Sequence, residues 1–485
     1  MSMDARSRWL ALIVLCLGDL MIVLDGTIVN VALPSIREDL GFSQESLAWV
    51  VNGYLLTFGG FLLLGGRLGD LFGHRRLFLA GITLFTIASL ACGVANSQET
   101  LVVARAVQGL GGAVVSAVAL SLIMTLFTEP AERAKAMGVF GFVLSGGGTA
   151  GVLLGGIITD TLAWNWIFLI NLPVGIAVFA LTLVLLPGGS GHATGRVDVA
   201  GAVTVTTSLV LAVYAIVNGN DTGWTSAQTL GLLGAAVALM AAFLTIESRV
   251  SAPLMPLGLF KVRNIATANV VGVLMAAGMF AFFFLSALYL QLILGYSPLE
   301  VGLAYLPSTV LWGTASLLLS DRLVMKYGIK TPLLAGLGLM TIGLLLLART
   351  PVDGNFLVDV LPPTLAIGLG AGIAFNPLLL AAMSGVSPAE AGLASGIVNT
   401  AFMMGGALGL AVLASLAASR TASLEANGDS TLVALNGGYH AAFVVGALFV
   451  VASAVVGGLL LRSDVSAGAH EGEQALGVPA AAEAD

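Results

Sequence analysis

The chain has 485 residues, of which 58% are hydrophobic and only 9% are charged, and its net charge is −7. A soluble domain carries about 25% charged residues, so this chain has too few charges to cover a water-facing surface. Its hydrophobicity also excludes an intrinsically disordered protein. The composition indicates a polytopic membrane protein. Both cysteines, Cys16 and Cys92, lie in apolar runs, so no disulfide framework is expected.

Apolar runs long enough to cross a bilayer recur along the whole sequence. A helix of roughly 20 residues spans about 30 Å of hydrocarbon, and fourteen runs reach that length. They are predicted at residues 10–33, 47–66, 77–95, 100–126, 136–158, 165–186, 199–218, 228–246, 265–292, 300–319, 332–349, 357–382, 394–417 and 438–461.

The distribution of cations predicts how these spans are oriented. Cytoplasmic loops of membrane proteins carry more Lys and Arg than outer loops. With both termini in the cytoplasm, fifteen of the nineteen cations fall in inner loops, three in outer loops and Arg105 inside a span. This bias favours fourteen spans. A twelve-span arrangement with the middle pair on the membrane surface keeps the same parity and stays open.

An internal repeat predicts the architecture. Residues 62–81 match residues 317–336 without a gap, and the Pro-Ala-Glu at 130–132 is matched at 388–390. These segments join helices of equal orientation, so the halves are parallel repeats, as in transporters whose substrate site lies between two bundles.

The predicted fold is therefore an all-α polytopic membrane protein with two parallel six-helix bundles and two extra central helices. The N-terminal bundle covers residues 1–186, the inserted pair with its loops 187–263 and the C-terminal bundle 264–461. Residues 462–485 are predicted to form a disordered cytoplasmic tail.

Three charged residues lie well inside the apolar runs rather than at their edges. Asp19 and Asp25 lie in the first span, and Arg105 lies in the fourth at a depth similar to that of Asp25. A carboxylate within a membrane must be protonated, paired or in contact with water. Two interpretations fit this pattern. Asp25 and Arg105 form an ion pair that only holds two helices together, or Asp25 binds a proton with an affinity that Arg105 adjusts.

Asp19 is expected to play a different part. It is six residues from Asp25, which separates the two by about 120° around a helix, so they are not expected to face one narrow stripe. Asp19 has no evident cation partner and is a candidate substrate contact in a central cavity. Asn30, further along the same helix, is a second candidate.

The sequence offers little to support a metal site or direct use of ATP. Its four histidines lack metal-ligand spacing, and it contains no P-loop and no strand-flanked GxGxxG. No cofactor is expected.

Several segments together resemble one known family. They lie at residues 24–34, 66–76, 105–109, 147–156, 164–173 and 253–257. At these segments the chain resembles the major facilitator superfamily, and in particular its fourteen-helix drug:proton antiporters.

The resemblance implies roles for individual residues. Asp25 would be the proton-coupling carboxylate and Arg105 its relay partner. A conformational gate on the inner side would comprise Gly66, Gly69, Asp70, Gly73, Arg75 and Arg76. The antiporter motif of the fifth helix would pack through Gly147, Gly151, Gly155 and Gly156.

Two positions depart from the family pattern. Val152 stands where the antiporter motif usually has Pro, and Asn165 stands where Arg is usual.

The function expected from the resemblance is proton-coupled export of small hydrophobic or amphipathic organic compounds such as antibiotics, powered by the proton gradient. A proton symporter or facilitator that imports a metabolite is the first alternative. A non-transporting membrane sensor or enzyme is the second. The expected partners are a drug-like substrate, protons and membrane lipid, without nucleic acid. The protein is expected to be a monomer in the plasma membrane.

Topology reporters test the fourteen-span prediction. A fusion at Gly219 should report an outer location and one at Arg462 a cytoplasmic location, because the middle pair of spans crosses the membrane between them. Alkaline phosphatase and fluorescent-protein fusions measure the two outcomes. A cytoplasmic signal at Gly219 would favour the twelve-span arrangement instead.

Overall fold

The fold is helical throughout the described part of the chain. A computed structural model describes residues 4–127, 129–186, 198–386 and 391–462. Within these ranges it leaves out some side chains: that of Asp70, those of eight residues in the first half of the fifth helix, and those of the first two residues of the thirteenth helix. Fourteen of its helices are long and apolar enough to cross a membrane, which confirms the predicted number. The predicted tail and the match at 388–390 lie outside the described residues.

The fourteen helices are numbered here in chain order. They are α1 (Ala5–Leu40), α2 (Ala48–Phe72), α3 (His74–Gly93), α4 (Gln98–Leu126), α5 (Pro130–Thr161), α6 (Trp166–Leu185), α7 (Val199–Thr222), α8 (Ala227–Arg249), α9 (Arg263–Ile293), α10 (Pro298–Tyr327), α11 (Lys330–Leu347), α12 (Phe356–Met383), α13 (Ala391–Ala426) and α14 (Thr431–Leu460).

Several helices extend further than the apolar runs predict. The side chain of Asp4 caps α1 by accepting a hydrogen bond from the Ser7 amide at 3.2 Å, and α1 ends at Gly41 with φ +70°. Arg37 and Arg420, which the predicted boundaries leave in outer loops, lie on α1 and α13. Hydropathy alone marks the hydrocarbon-crossing part, whereas a helix continues until its backbone is capped.

The pairing of helices repeats from one half to the other. In the first half α1 packs on α5, α2 on α4, and α3 on α4 and α6. In the second half α9 packs on α13, α10 on α12, and α11 on α12 and α14. The same pattern recurs eight helices later, which is what two parallel repeats require. The two six-helix bundles are therefore present as predicted.

The two bundles meet mainly where α5 packs on α10 and α2 packs on α13. A smaller contact joins α1 to α9. At the α1–α9 contact, the Gln291 side chain donates a hydrogen bond to the Val31 carbonyl at 2.9 Å. Helix α1 also contacts α10, so it touches the opposite bundle at two helices.

The inserted helices lie on one side of this interface. Helix α7 packs against both α2 and α13, and the Asn220 side chain donates to the Ser415 carbonyl of α13 at 2.9 Å. Helix α8 packs mainly on α7 and is the least buried of the fourteen spans. The pair therefore contacts both bundles through α7.

Glycines on α5 bring it close to helices of both bundles. A Cβ at Gly155 would lie 2.8 Å from the Ile28 carbonyl oxygen of α1, and one at Gly156 would lie 2.6 Å from the Pro298 carbonyl oxygen of α10. Gly147 and Gly151 face α1 in the same way. Small residues at this spacing let helix backbones approach closely in membranes. The glycines of α13 face α9 equivalently, with Gly405 against Val273.

The two departures from the family pattern have structural counterparts. Asn165 donates a hydrogen bond to the Gly93 carbonyl at 3.0 Å, at the end of α3. Val152 is buried, and its carbonyl oxygen would lie 3.0 Å from a Cβ placed on Gly302 of α10. Position 152 thus belongs to the close contact between the bundles.

Substitution of Gly151 tests the α1–α5 contact. Gly151→Val should lower the free energy of unfolding by about 1–3 kcal/mol, because overpacking forces helices apart. A Cβ there would strike the Thr27 hydroxyl and lie 3.0 Å from the Leu24 carbonyl oxygen. Thermal unfolding of purified protein in detergent measures the change.

Gly148→Val is the matched control, because no atom lies within 4 Å of a Cβ placed there. Equal stability of the two valine variants would contradict this account of the contact.

Candidate functional site

A buried acid–base network lies inside the N-terminal bundle. Asp25 of α1 forms an ion pair with the Arg105 guanidinium of α4 through its Oδ2. Its Oδ1 accepts hydrogen bonds from Gln108 at 2.7 Å and from Asn171 of α6 at 3.0 Å. Three side chains from two other helices therefore donate to one carboxylate.

Arg105 is held by groups other than the carboxylate. Its Nε donates to the Val50 carbonyl of α2 at 3.0 Å, and its Nη1 also donates to the Gln108 side-chain oxygen at 2.6 Å. The guanidinium carbon lies 4.4 Å from the centre of the Tyr54 ring and 5.5 Å from that of Phe168. Stacking on desolvated aromatic rings further stabilises the cation.

The network is closed to solvent. Asp25 and Arg105 are each 1% exposed, and Gln108 and Ser89 are fully buried. Ser89 of α3 accepts from Gln108 at 2.8 Å. A buried ion pair stabilises a fold only when its remaining donors and acceptors also have hydrogen-bond partners. Here four helices besides α1 provide those partners.

Two glycines of α4 allow the network to form. A Cβ on Gly109 would clash with the Tyr54 carbonyl of α2, and one on Gly111 would lie 2.7 Å from the Phe85 amide nitrogen of α3. Without side chains at these positions, α4 approaches both helices closely. Arg105, one turn before Gly109, can therefore reach the α2 backbone.

Asp19 is buried against α4, and its expected role as a substrate contact stays a prediction. It is 1% exposed, and its Oδ1 accepts a hydrogen bond from the Ser116 hydroxyl of α4. Its Oδ2 has no hydrogen-bond partner. Asp19 and Asp25 also contact the same helix, α4, although they are separated by about 120° around α1. Helix α4 runs antiparallel alongside α1 and therefore meets both side chains.

Asn30 lies beside open space on α1. It is half-buried, and its side chain donates to the carbonyl of Thr27 at 3.3 Å within its own helix. No atom lies within 4 Å of a Cβ placed on Gly26, one turn earlier. This part of α1 therefore leaves room for a bound molecule.

The residues of the proposed inner gate form a helix junction rather than an extended turn. Gly66, Gly69 and Asp70 lie within α2, and Arg75 and Arg76 lie in the first turn of α3. Only Gly73 joins the two helices, with φ +92°, a conformation that favours glycine. The junction is one residue long because both helices continue beyond the apolar runs that predicted them.

Contacts around this junction involve a residue that the sequence did not single out. A Cβ on Gly65 would lie 3.0 Å from the Val114 Cα of α4, whereas one on Gly66 would meet nothing closer than 3.8 Å. Arg75 donates to the Leu183 carbonyl near the end of α6. Arg76 is exposed, and the Asp70 side chain is outside the described part of the structure.

Sequence reasoning identified the charges of the network but not its amides. Gln108 lies three residues after Arg105 and hence on the same face of α4, a spacing that could have indicated it. Asn171 and Ser89 offered no comparable signal, because their helices reach Asp25 only in the folded bundle. The role of the pair in proton coupling stays a prediction.

The corresponding region of the C-terminal bundle is neutral and aromatic. The Phe283 and Trp312 rings stack with their centres 6.3 Å apart, and Phe402 contacts Phe280 and Phe375 at 6.1 and 5.5 Å. All the described charged side chains of α9 to α13 lie near helix ends. A small cavity there is lined by Met279, Phe282, Phe283, Ser308, Thr309, Trp312, Ile367, Gly368 and Ala371.

A metal centre has no basis in the described residues. Across residues 4–127, 129–186, 198–386 and 391–462, no three His, Cys, Asp or Glu side chains are grouped so as to hold a metal ion.

Fourteen membrane helices in two repeated bundles, with an ion pair buried in one of them, are the framework of a secondary transporter. The family model of the Major Facilitator Superfamily matches residues 15–410. The chain belongs to this superfamily, as its motifs predicted.

Curated relatives match over nearly their whole lengths. The puromycin resistance protein of Streptomyces alboniger is 39% identical over 478 residues, covering 97% of this chain and 94% of that protein. The cephamycin export protein of Amycolatopsis lactamdurans is 36% identical over 449 residues, covering 92% and 91%.

Solved structures match in fold. A bacterial homologue of the human lysosomal transporter Spinster, in an inward-facing and occupied conformation, aligns with a TM-score of 0.67 and 16% identity, covering 95% of this chain and 98% of that one. The POT family transporter PepTSo gives the same TM-score with 14% identity, covering 94% and 99%.

Removal of the Arg105 charge tests how the network is stabilised. Arg105→Met should lower the free energy of unfolding by about 3–5 kcal/mol near neutral pH, because it leaves a buried carboxylate without its cation. Thermal unfolding of purified protein in detergent measures the change.

Adding Asp25→Asn to this variant should restore much of the stability. Arg420→Met, at an exposed arginine, is the control and should change little. A loss of stability that Asp25→Asn does not reduce would contradict the ion-pair account.

Proposed function

We propose that this protein exports small hydrophobic or amphipathic organic compounds, natural-product antibiotics among them, in exchange for protons. The observation that carries the proposal is the carboxylate of Asp25, buried inside a bundle of a Major Facilitator Superfamily protein against Arg105. Two relatives that match nearly end to end, a puromycin resistance protein and a cephamycin export protein, support export of such compounds.

Asp25 is the proton-binding group in this proposal. When ionised, it holds Arg105 on Oδ2 and the amides of Gln108 and Asn171 on Oδ1. A proton on Oδ2 would neutralise the carboxylate and remove the charge that holds Arg105 there. Arg105 would still have the Val50 carbonyl and the Gln108 oxygen as acceptors.

Helix α1 connects this proton site to the interface between the bundles. It carries Asp25 on one side and contacts α9 and α10 of the opposite bundle. A change in how tightly Asp25 holds α4 would therefore alter the packing of a helix that both bundles share. The gate proposed at the α2–α3 junction, which comprises Gly66, Gly69, Asp70, Gly73, Arg75 and Arg76, would close the inner side in the same cycle.

The substrate would bind between the bundles. The aromatic side chains of the C-terminal bundle offer it an apolar, stacking surface. In the first bundle, Gly26 and Asn30 of α1 would offer space and a polar contact. Such a site suits neutral or weakly charged ring compounds rather than lipophilic dications.

The cellular setting follows from the same proposal. The protein would act as a monomer in the plasma membrane, surrounded by lipid, with both termini in the cytoplasm. The excess of Lys and Arg in the loops assigned to the inner side supports that orientation.

Amide variants of the two intramembrane acids test the coupling role. Asp25→Asn should abolish accumulation of puromycin in everted vesicles under an imposed proton gradient, yet leave binding measurable, because the amide cannot release a proton. Asp19→Asn should retain pH-dependent accumulation. Vesicle uptake and binding of labelled puromycin and of a cephamycin measure the outcomes.

If Asp25→Asn keeps pH-dependent accumulation and Asp19→Asn loses it, proton coupling belongs to Asp19 instead. Import of the compounds into right-side-out vesicles in the direction of the proton gradient would instead favour the symporter alternative. Reconstituted wild-type protein without a gradient is the control for passive leak.

A further inference from the structure

Two buried carboxyl groups face each other in the inserted helix pair. Asp198 immediately precedes α7 and Glu247 lies in the last turn of α8. Asp198 is 6% exposed and Glu247 is 3% exposed. They are far along the chain from Asp25 and belong to neither six-helix bundle.

One oxygen of each carboxyl group has a backbone partner. Asp198 Oδ1 accepts a hydrogen bond from the Gly201 amide at 2.8 Å, which caps α7. Glu247 Oε2 accepts one from the Met255 amide at 3.1 Å, which fastens the segment after α8. Both side chains are therefore fixed in place.

The other two oxygens share one small space. Asp198 Oδ2 and Glu247 Oε1 are buried and have no hydrogen-bond partner. A Cβ placed on Gly201 would touch Asp198 Oδ2 and lie 3.0 Å from Glu247 Oε1. Both unpartnered oxygens thus face the same point, which glycine leaves unoccupied.

Two ionised carboxylates in this position would repel each other in a poorly solvated site. One proton removes the repulsion, because a carboxyl group can donate a hydrogen bond to a neighbouring carboxylate. We propose that Asp198 and Glu247 bind one proton between them, forming a second proton site of this transporter, with the hydrogen bond joining Oδ2 and Oε1.

Charged groups on the surrounding elements define the alternative. Arg249 on α8 is exposed, and Arg67 on α2 is half-buried and makes a contact of its own. Arg196, two residues before Asp198, lies outside the described residues. A guanidinium that neutralised both carboxylates would make the shared proton unnecessary, and the experiment separates these cases.

The shared proton would join three parts of the chain. It links the start of α7 to the end of α8, and through Met255 to the segment that leads towards α9. Beside it, Leu254 and Ala202 pack against Leu64 of α2. The pair therefore supports the half of α2 that ends at the α2–α3 junction, independently of the proton on Asp25.

Infrared spectroscopy of the full-length protein tests the proposal. At pH 7.5 the wild type should show a protonated-carboxyl band that both Asp198→Asn and Glu247→Gln remove, since either amide can donate the hydrogen bond that the proton supplied. Asn caps a helix as well as Asp does, and Gln keeps the acceptor for Met255. Asp321→Asn, at an exposed acid, is the control and should leave the band unchanged.

Thermal unfolding across pH gives a second readout. The folded wild type would hold a proton that the unfolded chain has released, so its stability should fall as the pH rises. In both amide variants this fall should be smaller.

Loss of the band in only one amide variant, or its absence from the wild type, would overturn the shared proton. So would failure of both amide variants to fold. A band that appears only after Arg67→Gln or Arg196→Gln would assign the neutralising role to arginine.

Discussion

The ion pair between Asp25 and Arg105 is the constraint around which the N-terminal bundle is arranged. Opposite charges attract strongly in a medium of low dielectric constant, but removing them from water carries a large desolvation penalty. The attraction outweighs that penalty only when the other polar atoms of the pair also have hydrogen-bond partners. Four helices besides α1 provide those partners, through Gln108, Asn171 and Ser89 and through the backbone at Val50. The glycines of α4 matter for the same reason, because only close helix packing brings these groups into reach.

The repeat gives two bundles of the same plan with different chemistry. Equivalent helix pairs meet in each half, and glycines of α5 and α13 serve the same contacts with α1 and α9. Charge is buried in the first half, whereas aromatic rings occupy the corresponding part of the second. A division of this kind would separate the proposed proton site from the surface proposed for the substrate. Helix α1 carries Asp25 and contacts the second bundle, so a change at the ion pair would act on a helix that both bundles share.

The inserted helices are attached asymmetrically. Helix α7 contacts α2 and α13, which come from opposite bundles, while α8 packs mainly on α7. Polar contacts lie near both ends of α7, where Asn220 donates to Ser415 of α13 and Asp198 caps the helix. The pair is therefore placed to influence how α2 and α13 move relative to each other without forming part of the central interface.

The sequence by itself determined the class of protein, the fourteen spans, the repeat and the family. These depend on hydropathy, loop charge and local motifs, which are properties of single segments. It also indicated that Asp25 and Arg105 lie at one depth, because helical rise is constant. Helix ends were less well predicted, because the helices that carry Arg37 and Arg420 extend beyond their apolar runs.

Only the tertiary structure decided which side chains meet. That Asp19 binds Ser116 depends on where α4 passes α1. That Asn171 reaches Asp25 depends on the packing of α6, and that Asp198 faces Glu247 depends on the return of α8 along α7. Contacts between segments distant in the chain are set by how whole helices pack, and the period of any one helix does not contain that information.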